Sequence, residues 1–380
     1  MILLIIAGID EFTIVLQSRV EIMNIEDWQD IAQMLIDEFI SLSLLEDVLD
    51  TTFSTDNNKS NPAGYTSAIH VTNKPYYLSI AYHEFYVNMG VIVKFSAWAW
   101  AEYQANYLKK YSVNITLSKF LNMINSSIYD FRLSRVDVAI DYKNYFEDNF
   151  LDVLNDDIAS EKIKVVNENN IKSFHSSSSI KTNNKISSIY LGSKKANTRV
   201  FMRIYNKKKE QIEKNGFRLS EAKKCDSWIR FEASFRTVYA HKITEELIKT
   251  NDYIKSLINI FLNKYRFFDV QNDKYCDYTE DLIQLLENPS QNILRCESPR
   301  DNSISQSIRY LILDSGLFTT FVKVFLLWGD EAEKKLLSFL REAYKAQKKD
   351  ILNKREIIAF VKKHSDLKNT DFSNYLSTIL

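Results

Sequence analysis

Three segments of this chain place residues suited to phosphate chemistry at every second position. Arg199–Asn206 alternates Arg199, Phe201, Arg203 and Tyr205 with Val200, Met202 and Ile204, and the lysines Lys207, Lys208 and Lys209 follow at once. In Leu133–Tyr142, Val136, Val138 and Ile140 alternate with Arg135, Asp137, Ala139 and Asp141. In residues 227–236, Ile229, Phe231, Ala233 and Phe235 alternate with Trp228, Arg230, Glu232 and Ser234. Successive side chains of a strand point to opposite faces. Laid side by side, the three segments therefore predict one sheet surface carrying a tyrosine, three carboxylates and several arginines. Hard carboxylate oxygens hold Mg²⁺ or Mn²⁺, and arginines clamp phosphate oxygens. A tyrosine hydroxyl, with a pKa of about 10, needs cations nearby before it can attack phosphorus. Lys207, Lys208 and a metal would supply them. The same residue types also build a plain salt-bridge lattice, with Asp137, Asp141 and Glu232 against Arg135, Arg203 and Arg230.

Elsewhere the chain has no comparable chemistry. The histidines, His70, His83, His175, His241 and His364, never fall in a His-x-His or HExxH pattern. No GxGxxG, P-loop or GxSxG occurs, so nucleotide cofactors and serine hydrolysis have no motif. Cys225, Cys276 and Cys296 are odd in number and form no CxxC pair, which fits a reducing cytoplasm better than a disulfide framework. Trp98, Trp100 and Tyr103 have the chemistry to stack on bases; aromatics beside a sheet also serve as core.

The elements that position these residues read as α+β. A first strand is expected over 1–18, and a helix over 24–50 capped by Asn24 with Trp28, Ile31, Met34, Leu35 and Phe39 as its apolar stripe. Strands are expected near 65–72, 76–84 and 90–96, with helices over 103–111 and 117–128. After the strand at 133–142 come a helix at 146–160 and a polar loop at 167–188 with a strand near His175. Strands at 187–192, 199–206 and 227–236 and a helix at 240–262 complete this part. Residues 76–96 and 187–207 share a strand, link, strand pattern. This suggests a duplicated unit, about 1–130 and 131–250, built as an antiparallel sheet with helices on one face. Beyond 250 strands are expected to vanish. Four amphipathic helices, 305–314, 317–328, 330–349 and 354–364, form a separate module at 251–380, with the joint at 288–303.

Net charge is zero, with 49 bases and 49 acids, but the charge is unevenly spread. Residues 1–60 hold twelve acids and two bases, whereas residues 181–225 hold thirteen bases and three acids, a segment suited to a polyanion or to a solvated loop. No run of about 18 uncharged apolar residues suggests a membrane span, and no membrane partner is expected.

The motif set RVDVAIDY, SIYLGSKKANTRVFMRIYNKKKEQ and WIRFEASFR resembles the plasmid replication initiation factor family. That family includes rolling-circle plasmid initiators, related conjugative-element nickases and some phage replication proteins. The resemblance covers about residues 70–250 and includes the Tyr190–Lys194 turn. It implies a nicking-closing enzyme in which a tyrosine attacks one phosphodiester at a hairpin origin, leaving a 5′-phosphotyrosyl link and a 3′-OH primer. It places that tyrosine at Tyr205 and the Mg²⁺ or Mn²⁺ ligands at Asp137 and Glu232, with Asp141 as a third. It assigns phosphate contacts to Arg203, Lys207 and Arg230. It also implies a homodimer, origin DNA as partner, and a host helicase and polymerase. A non-catalytic DNA-binding regulator with the same fold is the alternative, and residues 251–380 would read DNA or dimerise.

Overall fold

The computed structural model describes residues 3–22, 25–54, 61–71, 78–167, 177–182, 185–193, 198–286, 304–313, 315–353, 355–369 and 371–376. Asn24, His175, Lys194, Cys296 and the expected joint at 288–303 lie outside the described residues.

The chain opens with β1 (Leu4–Ser18), α1 (Ile25–Ser43) and α2 (Leu45–Leu49). It continues with β2 (Phe53–Ser54), β3 (Ser67–Val71), β4 (Leu78–Tyr82), β5 (Val91–Phe95), α3 (Ala97–Tyr111) and α4 (Leu117–Met123). Then come β6 (Tyr129–Lys143), α5 (Phe150–Ala159), β7 (Ile163–Val166), β8 (Ser177–Thr182), β9 (Lys185–Leu191) and β10 (Val200–Asn206). α6 (Lys207–Glu213), α7 (Leu219–Ala222), β11 (Trp228–Arg236), α8 (Val238–Lys249) and α9 (Tyr253–Leu262) follow. β12 (Arg266–Asp269), β13 (Lys274–Tyr275) and α10 (Asp277–Gln284) come next.

Among the described residues one antiparallel sheet runs in the order β2-β3-β4-β5-β1-β6-β11-β10-β9-β8. Its two central strands, β1 and β6, are 15 residues each and pair with one another over nearly their whole length. The order is symmetric about that pair. β1, α1, β3, β4, β5, α3 on one side matches β6, α5, β9, β10, β11, α8 on the other. The duplication expected from the sequence is therefore present in the topology, but one strand out of step. β4 and β5 correspond to β10 and β11, not to the β9 and β10 that residues 187–207 contain. The strand patterns of the two halves are too alike for local periodicity to distinguish a shift of one strand.

One sheet face is apolar. Phe12, Ile14 and Leu16 of β1, Val136, Val138 and Ile140 of β6, and Phe231, Ala233 and Phe235 of β11 are buried there. Helices cover this face, α1 supplying Trp28, Leu35 and Phe39 and α4 supplying Phe120. Each fully buried Val, Leu, Ile or Phe here contributes about 1.5–3 kcal/mol, so one face holds the sheet together and the opposite face is left to carry polar groups. Helices α6 and α7 do not join this core. They pack instead around Trp228 with Ala222 and Cys225.

Three boundaries differ from the sequence expectation. The helix expected over 24–50 breaks at Leu44, which is left-handed at φ +51°. That expected over 240–262 breaks at Thr250–Asp252, where Asp252 caps α9 through the Lys255 amide. Strands persist past residue 250, since β12 pairs with β7 and β13. RFFD is too short to display a period. Accordingly the first compact unit extends to Arg295 rather than stopping near 250.

The second unit, Cys296–Leu380, contains α11 (Ile304–Leu313), α12 (Leu317–Trp328), α13 (Asp330–Leu352), α14 (Arg355–Lys363) and α15 (Phe372–Leu376). Gly329, at φ +79°, joins α12 to α13, and neither helix buries a side chain. The run Tyr310–Trp328 is long and apolar enough by composition to cross a membrane, with a mean hydropathy of 1.6, but it is not the uncharged run of the sequence expectation. It contains Asp314 and Lys323, and α12 starts anew behind Gly316 at φ +73°.

Candidate active site

The pairing registers bring the three motif strands together as the alternation predicted. Tyr205 stands opposite Arg230, and Arg230 opposite Asp141; Arg203 stands opposite Glu232, and Glu232 opposite Ala139; Ser234 stands opposite Asp137. Cross-strand partners share a face, so Tyr205, Arg203, Arg230, Glu232, Asp137 and Asp141 all lie on the face turned away from the core.

The tyrosine is closely held. Tyr205 Oη donates to Glu232 Oε2 at 2.9 Å and accepts from Lys207 Nζ at 3.2 Å. The Arg203 guanidinium lies over the Tyr205 ring, 3.9 Å from its centroid, while Arg203 Nε is buried without a hydrogen-bond partner. Lys207 reaches back because α6 begins directly after β10. Asn206 caps that helix, its Oδ1 accepting from the Lys209 amide at 2.9 Å. Lys207 Nζ also pairs with Glu210 at 2.7 Å and lies 4.0 Å from Asp10 Oδ1. Lys208, the other expected cation, points elsewhere and donates to the Asp226 carbonyl.

Arg230 is 3% exposed. Its Nε and Nη2 form a bidentate pair with Asp141 at 2.7 and 2.8 Å, and its Nη1 donates to Asp10. In this arrangement Arg230 positions two acids. Arg135 pairs with Asp137 at 2.5 and 3.0 Å and with Glu11 at 2.6 Å.

Asp10 and Glu11 join this site without a motif to announce them. Between Ile9 and Phe12 of β1 the partner strand advances only from Val138 to Val136. The extra residue is a β-bulge, and it leaves both acids between two core residues, free of the apolar face. The signal was present in the sequence. The apolar parity of β1 changes from Ala7 and Ile9 to Phe12, Ile14 and Leu16 across this Asp-Glu pair.

Burial governs the electrostatics. It pushes the Tyr205 hydroxyl well above its ordinary value, and the adjacent Glu232 carboxylate adds to the shift. Burial, then Asp10 and Asp137, push Glu232 up to about 8 against the pull of Arg230 and Lys207. Burial likewise raises Asp137 despite Arg135. For Asp10, burial opposes ionisation, but Arg230, Lys207 and Arg218 outweigh it and hold the carboxyl well below the carboxylate range. Asp141 is lowered in the same way, with Arg230 overcoming burial.

These acids supply the hard oxygen donors a divalent ion takes. The crowding of Asp10, Asp137 and Glu232, visible in the raised Glu232, is what an added cation would relieve. Among the described residues, however, no three of the acidic, histidine or cysteine side chains are gathered closely enough to enclose a metal. Asp137 and Asp141 are drawn to Arg135 and Arg230. Glu232 is the acid whose partner is a neutral hydroxyl.

Beside Lys207 and Arg230 a cavity of about 170 Å³ is bounded by α3, by α6 and the turn that follows it, and by Ile9 and Asp10. Of the aromatics considered for stacking, Trp100 and Tyr103 are core. Trp98 is half-buried and lines this cavity.

Comparison with known proteins gives two likenesses. A family model described as replication initiation factor matches residues 131–313. Among solved structures, the rolling circle replication initiator protein from Geobacillus stearothermophilus is 12% identical, with 76% of this chain and 100% of that chain covered and a TM-score of 0.49. No curated protein matches the chain. Over residues 131–313 this chain thus matches the replication initiation factor family, the family its three strand motifs resemble.

Proposed function

We propose that this chain initiates rolling-circle replication by nicking and rejoining one DNA strand at a replication origin, with Tyr205 as nucleophile. The observation that carries the reading is the hydroxyl of Tyr205 held between Glu232 Oε2 at 2.9 Å and Lys207 Nζ at 3.2 Å. Glu232 takes the phenolic proton, and Lys207 offsets the charge that develops on Oη. Oη then forms a bond to phosphorus as the bond from phosphorus to the 3′ oxygen breaks. The 3′ oxygen leaves as the primer hydroxyl with a proton taken from water, Glu232 returns the phenolic proton to solvent, and the 5′-phosphate stays on Tyr205. Attack by that hydroxyl reverses the step and reseals the strand. The unpartnered Nε of Arg203 is the donor best suited to a phosphate oxygen.

A Mg²⁺ or Mn²⁺ ion held by Glu232 and Asp137 would add positive charge against the phosphate oxygens. Asp137 and Asp141 each have both oxygens paired with an arginine, Arg135 and Arg230, so Glu232 would be the leading ligand and either aspartate would have to give up an arginine contact to join it. Origin DNA is the partner, the 3′-OH primes a host polymerase, and the protein recruits a host helicase. A homodimer through the second unit is supported by the exposed Phe318, Leu326, Trp328 and Phe339.

The test is incubation with supercoiled origin plasmid and Mn²⁺. Wild type should give relaxed plasmid and a covalent protein–DNA adduct on denaturing gels. Relaxation by Tyr205→Phe at the wild-type rate would remove Tyr205 from this role. A shift of the DNA with no adduct would favour the regulator reading.

A further inference from the structure

The cavity beside Tyr205 has a construction that nicking alone does not require. Its lining carries Lys207 and Arg230, buried and paired there with Glu210 and Asp10, and the more exposed cations Lys214 and Arg218. Its rim carries two aromatic rings from different elements, Trp98 of α3 and Phe217 of the turn between α6 and α7. Their centroids are 6.1 Å apart and the planes are inclined at 61°. Phe217 is 40% exposed, a large apolar group left at the mouth rather than packed.

The turn that presents Phe217 is built, not incidental. Asn215 and Gly216 close it, Asn215 at φ +48°. The buried Gln211 side chain lies against Gly216, where a Cβ would come within 2.4 Å of its Oε1. That oxygen accepts from the Arg218 amide at 2.8 Å. Gln211 therefore fixes the turn, and Gly216 is the residue that lets it approach.

We propose that this cavity is a nucleotide subsite, holding the base of the deoxynucleotide next to the scissile phosphate against Trp98 and Phe217. The phosphate side of that nucleotide faces Lys214 and Arg218, the more exposed of the lining cations, and Lys207 links the cavity to the Tyr205 hydroxyl. This rests on the nicking reading above and adds to it a requirement for an unstacked base in single-stranded DNA. Every base has a π-face, so the subsite favours a base over none without reading a sequence.

The test uses the full chain carrying Tyr205→Phe, which cannot form the adduct, and two single-stranded probes. One is a short oligothymidylate; the other is an abasic strand of equal length that keeps the phosphates. The expected result is tighter binding of the oligothymidylate. Phe217→Ala and Trp98→Ala each reduce that preference roughly ten-fold, affinity for the abasic strand is unchanged, and Phe217→Trp restores the preference. Phe217→Ala keeps the test sound if Trp98→Ala disturbs α3, because Phe217 is exposed. The proposal is overturned if Phe217→Ala keeps the full preference, or weakens both strands equally. It also falls, together with the DNA reading itself, if the Tyr205→Phe chain binds neither strand.

Discussion

The two halves of the large sheet have the same topology and opposite chemistry. On β10 and β11 the face turned from the core carries Arg203, Tyr205, Arg230 and Glu232. On their counterparts β4 and β5 the same face carries Ser79, Ala81, Ile92 and Lys94. Each half feeds one long strand to the centre, and both central strands deliver acids, Asp10 and Glu11 from β1 and Asp137 and Asp141 from β6. On the proposed reading one half supplies the reactive group and the other supports it. The duplicated scaffold holds positions, and side-chain identity at those positions decides whether there is a site.

The comparison is broken most directly at Tyr205. Tyr205→Phe should lower plasmid nicking by ~10⁴-fold or more, the scale seen when a nucleophile is lost, with binding of origin DNA retained in a gel-shift assay. Retained nicking would mean that the chemistry lies elsewhere on the sheet.

Glu232→Gln comes next, with a loss of about 10²–10⁴-fold expected for removal of a general base. In wild type the nicking rate should rise with pH up to about 8, where Glu232 gives up its proton, and the variant should lack that limb. Stability offers a readout independent of activity. Unfolded Glu232 ionises near its ordinary 4.5, whereas folded Glu232 keeps its proton to about 8. Folding therefore binds a proton between these values. Wild type should lose stability as pH rises from 4.5 to 8 and level off above it. Thermal melts of Glu232→Gln should show a flatter profile and a gain over wild type that is largest at the alkaline end.

Arg230→Gln addresses the support that crosses between the halves. It removes the bidentate partner of buried Asp141 and the nearest cation to part-buried Asp10, leaving Arg218 at 3.7 Å from Asp141 and Lys207 at 4.0 Å from Asp10, and a cost of about 3–5 kcal/mol is expected in denaturant unfolding. A cost below 1 kcal/mol would show that β1 and β11 are held through their pairing with β6 and the core without this bridge.

The smallest effect should come from the silent half. Ser79→Ala, on β4, removes a buried hydroxyl that has no hydrogen-bond partner, and should change nicking by less than about two-fold and stability by within about 0.5 kcal/mol. A large loss there would overturn the division of labour between the halves.

Much of this was legible before any coordinates. Alternation in three short strands put Tyr205, Arg203, Arg230, Glu232, Asp137 and Asp141 on a common face, and the registers agree. Legibility failed where a feature was shorter than a period or depended on a distant partner. RFFD of β12 is too brief to alternate, and the break at Leu44 lies in a helical pattern that continues on both sides. The duplication was visible, but its step was not, because neighbouring strands of a repeat share the same apolar rhythm.

What the sequence determined by itself is which side chains share a face, because the period of two in a strand is local and survives whatever the strand packs against. Tertiary structure decided which of those side chains meet. Arg230 finds Asp10 across 220 residues of chain, through a bulge that exists only because β1 pairs with β6. The Phe217 turn comes to face Trp98 only because α6 and α7 fold around the end of β11. Burial then set the chemistry. A carboxylate that would ionise near 4.5 in water holds its proton to about 8 once enclosed with two other acids, and no property of Glu232 in the chain alone contains that value.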